Sequence, residues 1–233
     1  MARCSDADGG AAPEGGRARE EEAKKAPVAV ALGYLMLAGA MLYKFPQIWR
    51  IRQAKSARGI SLATTCLGMA IQVTSLGYAI GEGHPFSAYG EGVPAFVGSL
   101  AVALQTLHYD RGARAPQLLA AAAAALASAL AACRARWLFG ERAGRRWMHS
   151  LQASVPALLV VEKMPQILQA WRAGSAGEQS LATSVAAWAG NWVRLYTSLT
   201  QLRHDPKACA PHLVSWAANG VVTAQIVLYR GRY

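Results

Sequence analysis

Charge is scarce in this sequence, and acidic charge is scarcer. Asp, Glu, Lys and Arg make up 16% of the 233 residues, with 13 acids against 24 bases. A soluble domain carries roughly 25%. Six stretches hold no charge at all: 60–81, 92–109, 115–133, 147–161, 179–193 and 208–229. A helix needs about 20 mainly apolar residues to cross a bilayer, and these runs reach that length alone or once one interfacial charge is allowed. So many apolar spans would leave too little amphipathic surface for water, which excludes a soluble helical protein. Cysteine is also sparse. Cys4, Cys66, Cys133 and Cys209 show no paired spacing, so neither a disulfide framework nor a thiolate metal site is expected. No HExxH, paired-carboxylate metal site or nucleophile elbow occurs. The expectation is therefore a non-enzymatic protein with no catalytic residue, metal or cofactor. Membrane-buried aspartate is missing too, since Asp6, Asp8, Asp110 and Asp205 all fall in the tail or in connections.

The excess of base, +11 overall, does not imply a nucleic-acid partner. It sits in short clusters between apolar runs: Arg50, Arg52, Lys55 and Arg58; Arg134 and Arg136; Arg142, Arg145 and Arg146. Loops flanking membrane spans look like this, and no zinc, helix-turn-helix or RNA-binding motif accompanies them.

Seven spans follow, at about 27–50, 61–80, 87–108, 115–134, 149–171, 180–202 and 209–230. Residues 1–26 are rich in Gly, Ala, Glu, Arg and Lys and predict a disordered tail. The first span, rather than a cleavable leader, is expected to act as the targeting signal. The connections are short, and the longest, about 135–148, is basic and holds Trp137 and Trp147. The Ala-rich fourth span, within 115–138, reads as a linker helix. Basic residues divide between the two faces, so the positive-inside rule selects neither orientation.

The sequence also repeats itself. Residues 44–69 read KFPQIWRIRQAKSARGISLATTCLGM, and 163–188 read KMPQILQAWRAGSAGEQSLATSVAAW. Lys44, Pro46, Gln47 and Ile48 align with Lys163, Pro165, Gln166 and Ile167 at a gapless offset of 119. Ser56-Ala57 and Ser61-Leu62-Ala63-Thr64 recur in the same register. Apolar helices share Leu and Ala by chance, but not these polar and Pro positions together. Spans one to three (27–108) and five to seven (149–230) are thus two copies of one unit. The fourth span restores the chain direction, so the copies are parallel. The predicted fold is an all-α membrane protein of seven helices, arranged 3+1+3. Folds of this kind place a site between the halves.

Proline in a membrane helix removes a donor and clashes one turn back, and the freed carbonyl needs a partner. Gln47 and Gln166 are placed to donate to it or to a ligand. Pro46 and Pro165 therefore either shape packing alone or also form a hinge. Intramembrane ionisable groups are functional candidates: Lys44, Glu91, Glu162, Lys163 and Arg194. The two lysines either send their ammonium to the interface or meet an anionic phosphate between the repeats. Glu162 and Arg194 are expected to pair between spans five and six. Glu91 reads as an unremarkable exposed acid at a helix start. Asn191, Asn219 and Gln225 either face a central path or bond between helices.

Pro-Gln followed by Ala-Lys-Ser-Ala and Ser-Leu resembles the PQ-loop superfamily, which includes SWEET sugar carriers and cystinosin-like carriers. Further stretches narrow the resemblance. They are Ala54-Lys55-Ser56-Ala57-Arg58-Gly59-Ile60-Ser61-Leu62, Pro85-Phe86-Ser87-Ala88-Tyr89-Gly90-Glu91, His108-Tyr109-Asp110-Arg111-Gly112 and Leu151-Gln152-Ala153-Ser154-Val155-Pro156. Arg194-Leu195-Tyr196-Thr197-Ser198, Asn219-Gly220 and Ala224-Gln225 add to them. Together they look like the mannose-P-dolichol utilization defect 1 protein family. That resemblance implies a multi-pass protein of the endoplasmic reticulum membrane. It would be needed for lumenal glycosylation from dolichol-phosphate-mannose and dolichol-phosphate-glucose. The implied partners are dolichol-phosphate-linked sugar, membrane lipid and the glycosyltransferases of that membrane, and an oligomer is compatible with it. The alternative is a SWEET-like sugar transporter. Proton-coupled cystinosin-like transport, which relies on intramembrane Asp, is disfavoured. The sequence departs from the family at Gly98-Ser99, where a Gln-polar pair is expected and Gln105-Thr106 follows two turns on. It departs again at Asp110, and at Arg230-Gly231-Arg232-Tyr233, which holds no dilysine signal.

Overall fold

The computed structural model describes residues 14–58, 60–175, 181–202 and 205–229. Among them it contains ten helices and no strand. They are α1 (Glu14–Tyr43), α2 (Phe45–Ala54), α3 (Leu62–Gly81), α4 (Phe86–Tyr89), α5 (Gly92–Arg111), α6 (Ala115–Cys133), α7 (Ala135–Phe139), α8 (Glu141–Ala173), α9 (Leu181–Gln201) and α10 (Pro206–Tyr229). The protein is an all-α membrane protein. Its spans are α1 with α2, α3, α5, α6, α8, α9 and α10. Pro27–Ala54, Leu62–Gly81 and Ala115–Cys133 are each long and apolar enough to cross a bilayer on composition alone. Helices α5, α8, α9 and α10 carry more polar residues. Leu119, Leu126, Leu130 and Leu228 face outward. Apolar exposure on this scale suits lipid contact rather than water.

Each copy has the same internal order. In the first, α5 packs against both α1–α2 and α3, while α1 and α3 share no comparable contact. In the second, α10 packs in the same way between α8 and α9. The third span of each unit thus lies between the first and the second. The units meet through α1 against α9 and α3 against α8. Each joint pairs the first span of one copy with the second span of the other, as a two-fold axis along the membrane normal requires. The linker α6 packs outside the first unit, on α3 and α5.

Small residues allow the closest approaches, as is usual where lipid removes the hydrophobic drive between helices. A Cβ on Gly77 of α3 would stand 2.8 Å from the Ala132 carbonyl of α6, and a Cβ on Gly33 of α1 would collide with the Ser87 carbonyl of α4. At the opposite end of α3, Ser61 caps the helix by accepting from the Thr64 N–H at 3.2 Å.

Four expectations change. Residues 1–13 of the predicted tail lie outside the described residues, but from Glu14 the backbone is already helical. Ala, Glu, Lys and Arg are strong helix formers, and a span downstream removes the cost of nucleation. The third span starts at Gly92 rather than 87, after the single turn of α4. The connection at 135–148 is not a loop, since α7 and the first turns of α8 occupy it. Asp110 lies in the last turn of α5 and accepts the Ala57 N–H at 2.9 Å, fastening the segment after α2.

Candidate functional site

The two Pro-Gln segments fold differently. In the first copy the helix breaks at Lys44, and Pro46 sits in the opening turn of α2. There its missing N–H costs nothing. In the second copy Pro165 lies inside the unbroken α8. Beyond this point the copies converge. Gln105 of α5 donates its amide to the Ile48 carbonyl at 3.2 Å. Gln225 of α10 donates to the Ile167 carbonyl at 3.0 Å. Ile48 and Ile167 are equivalent positions, so each third span clamps the Pro-Gln segment of its own unit. Gln47 itself is half-buried in α2. Gln166 makes an interaction of its own. The Oε1 atoms of Gln105 and Gln225 are buried and accept no hydrogen bond among the described residues. The segments also end alike. Lys55 and Gly174, again equivalent, are left-handed caps at φ 47° and 58°.

Between the units lies a charged group. Glu162 of α8 interacts electrostatically with both Lys44 and Lys163. All three are half-buried. The two equivalent lysines thus share one carboxylate as an electrostatic partner. Glycines make the room. The Lys44 stem lies where a Cβ on Gly98 of α5 would stand, 2.8 Å away, and the Glu162 carboxylate is 3.5 Å from the corresponding point on Gly68 of α3. The Lys44 ammonium sits 5.2 Å from the Tyr43 ring centre, close enough for a cation–π contact. Gly98 is thus the residue that admits the lysine.

Residues 28–88 match the family model of the PQ loop repeat. The chain carries a PQ-loop repeat. The match spans α1 to α4, including the first Pro-Gln motif. The second copy is tied to it by the shared register, the shared glutamine clamp and the shared left-handed cap. No solved structure matches the chain.

The remaining polar candidates are placed less as foreseen. Arg194 of α9 is buried and pairs with Glu91, not with Glu162. It also donates to the Ala88 carbonyl at 2.8 Å. Glu91 is therefore structural rather than a plain surface acid. The pair ties α9 to the α4–α5 corner, beside a Ser87–Gln201 bond of 2.8 Å. Asn191 and Asn219 donate their amides within their own helices. Each amide bonds the carbonyl four residues back, of Ala187 and Ser215.

One cluster was not foreseen. On the face where α3 ends and α8 and α10 begin, Glu82 accepts from Arg136 at 2.6 Å, Arg145 at 3.0 Å and His149 at 2.9 Å. Burial alone would raise the Glu82 pKa, but the bonds from His149 and Arg145 outweigh it and hold it below the usual carboxylate value. His84, 3.6 Å from Asp205, is lowered because burial outweighs the pull of Asp205 and Glu82. Tyr78 donates to Asp205 at 2.7 Å, and Lys207 lies 2.8 Å from His149. The only sequence signal was the 135–148 basic cluster, whose acidic partner stands more than fifty residues earlier.

Proposed function

We propose that this protein is a non-enzymatic membrane factor that binds the phosphate of a dolichol-phosphate-linked sugar, mannose or glucose. In the endoplasmic reticulum it would make that lipid usable for lumenal glycosylation. The observation that carries this is the pair of equivalent lysines, Lys44 and Lys163, beside Glu162 at the joint between the repeats. Two cations at half-buried depth suit a phosphate, because a charge-assisted bond strengthens as water is excluded. Glu162 compensates them while the site is empty. The chemistry needs no bond to be broken, in keeping with a protein that presents a substrate to membrane glycosyltransferases.

A second reading, a sugar transporter, rests on the clamps. Two parallel units, each with a third span bonded to its Pro-Gln segment, are built like the rocking halves of carriers. Two assays separate the readings. Cells that make dolichol-phosphate-mannose but cannot use it should recover full-length lipid-linked oligosaccharide on expressing this chain. No rescue by a well-expressed, correctly located protein would sink the first reading. Sugar uptake by proteoliposomes holding the purified protein would establish the second.

A further inference from the structure

The first two turns of α8 put Arg142, Arg145, Arg146 and His149 on one side of the helix, at spacings of three and four residues. With Ser150 and Lys207 of α10 they line an open groove of about 750 Å³. Among the described residues no carboxylate lines it. The acids nearby are already engaged. Glu82 is held by Arg136, Arg145 and His149. Glu141 pairs with Arg136 at 3.3 Å, and Asp205 with Tyr78 and the Lys207 N–H. Arg142 and Arg146 are exposed and make no ion pair among the described residues. The groove thus holds more positive charge than the protein compensates.

Its depth is marked by aromatics. Trp137 is 80% exposed, and Phe139 and Trp147, stacked edge to face at 5.3 Å, are also exposed. Exposed Trp beside the end of a span marks the level of lipid headgroups. Basic groups at that level attract anionic lipid headgroups.

We propose that this groove is a binding site for the phosphate of an anionic membrane lipid, separate from the Lys44–Lys163 group. Arg142 and Arg146 make the direct contacts, and Lys207 closes the far side. The proposal does not depend on the function proposed above, because it concerns any phosphate-bearing lipid of that leaflet.

The test uses the full-length protein in neutral detergent micelles, titrated with a short-chain fluorescent phosphatidic acid and followed by anisotropy. Saturable binding is expected. Binding should be about 30-fold weaker in the Arg142→Gln/Arg146→Gln variant, an order-of-magnitude loss for two charge-assisted contacts. Both positions are exposed, so the variant should melt like the parent. Arg134→Gln removes a charge from the same face outside the groove and should leave binding unchanged. Unaltered binding in the double variant overturns the proposal. So does displacement of the probe by glycerol 3-phosphate as readily as by unlabelled phosphatidic acid, which would mark a site for soluble phosphate. Equal displacement by phosphatidylcholine overturns it as well, since the site would then not select charge.

Discussion

Lys55 closes α2 at φ 47°, a left-handed conformation that costs a residue with a Cβ roughly 1–2 kcal/mol. Its equivalent in the second repeat is Gly174, which adopts the same cap freely. Lys55→Gly should therefore stabilise the protein by about 1 kcal/mol, less the entropy that glycine adds to the unfolded chain. The measurement is the melting temperature in detergent, and a fall would show that the lysine side chain matters more than the backbone. Arg194 illustrates the opposite balance. It is buried with Glu91 as its counter-ion, and removing one partner leaves an uncompensated charge. Arg194→Ala should destabilise by about 3 kcal/mol. A melting temperature equal to the parent's would mean that water already compensates the pair.

The elements add what single residues do not show. Gln105 and Gln225 hold the two Pro-Gln segments from the third spans, yet the carbonyls they reach have a second lone pair for the helix bond. Losing the clamp should cost little stability, about 1 kcal/mol. If the clamp steadies a working hinge, Gln225→Leu should lose cellular activity while its melting temperature stays close to the parent's. A large drop in melting temperature would make the clamp purely structural. The turn after α3 makes a pH prediction. His84 takes its proton less readily in the folded state, so stability is full above the unfolded histidine value near pH 6.5 and declines below it. Glu82 is held low, so its contribution stays until the pH falls below the unfolded carboxylate value of about 4.3. Melting temperature should fall between pH 7 and pH 5, and His84→Asn should flatten that slope. An unchanged slope would assign the loss to another group.

At the scale of the molecule, much of the architecture was legible beforehand. Charge-free runs gave the spans because bilayer thickness sets their length, and the gapless match of Lys44–Met69 to Lys163–Trp188 gave the repeat. The clamps were not legible. In that register Gln225 stands opposite Thr106, one position from Gln105, so alignment hides what geometry makes equivalent. The Arg194–Glu91 pair was missed because its acid comes from a one-turn corner about a hundred residues earlier, and helical periodicity carries no such distance. Lys44, Lys163 and Glu162 were named as candidates, but only the packing of α3, α5 and α8 brings them together. The proposed function turns on that group. Its most direct test is the Lys44→Ala/Lys163→Ala variant, expressed at parental level in cells unable to use dolichol-phosphate-mannose. Loss of rescue, with full-length lipid-linked oligosaccharide absent, is the predicted result; rescue equal to the parent's would contradict phosphate recognition by the two lysines.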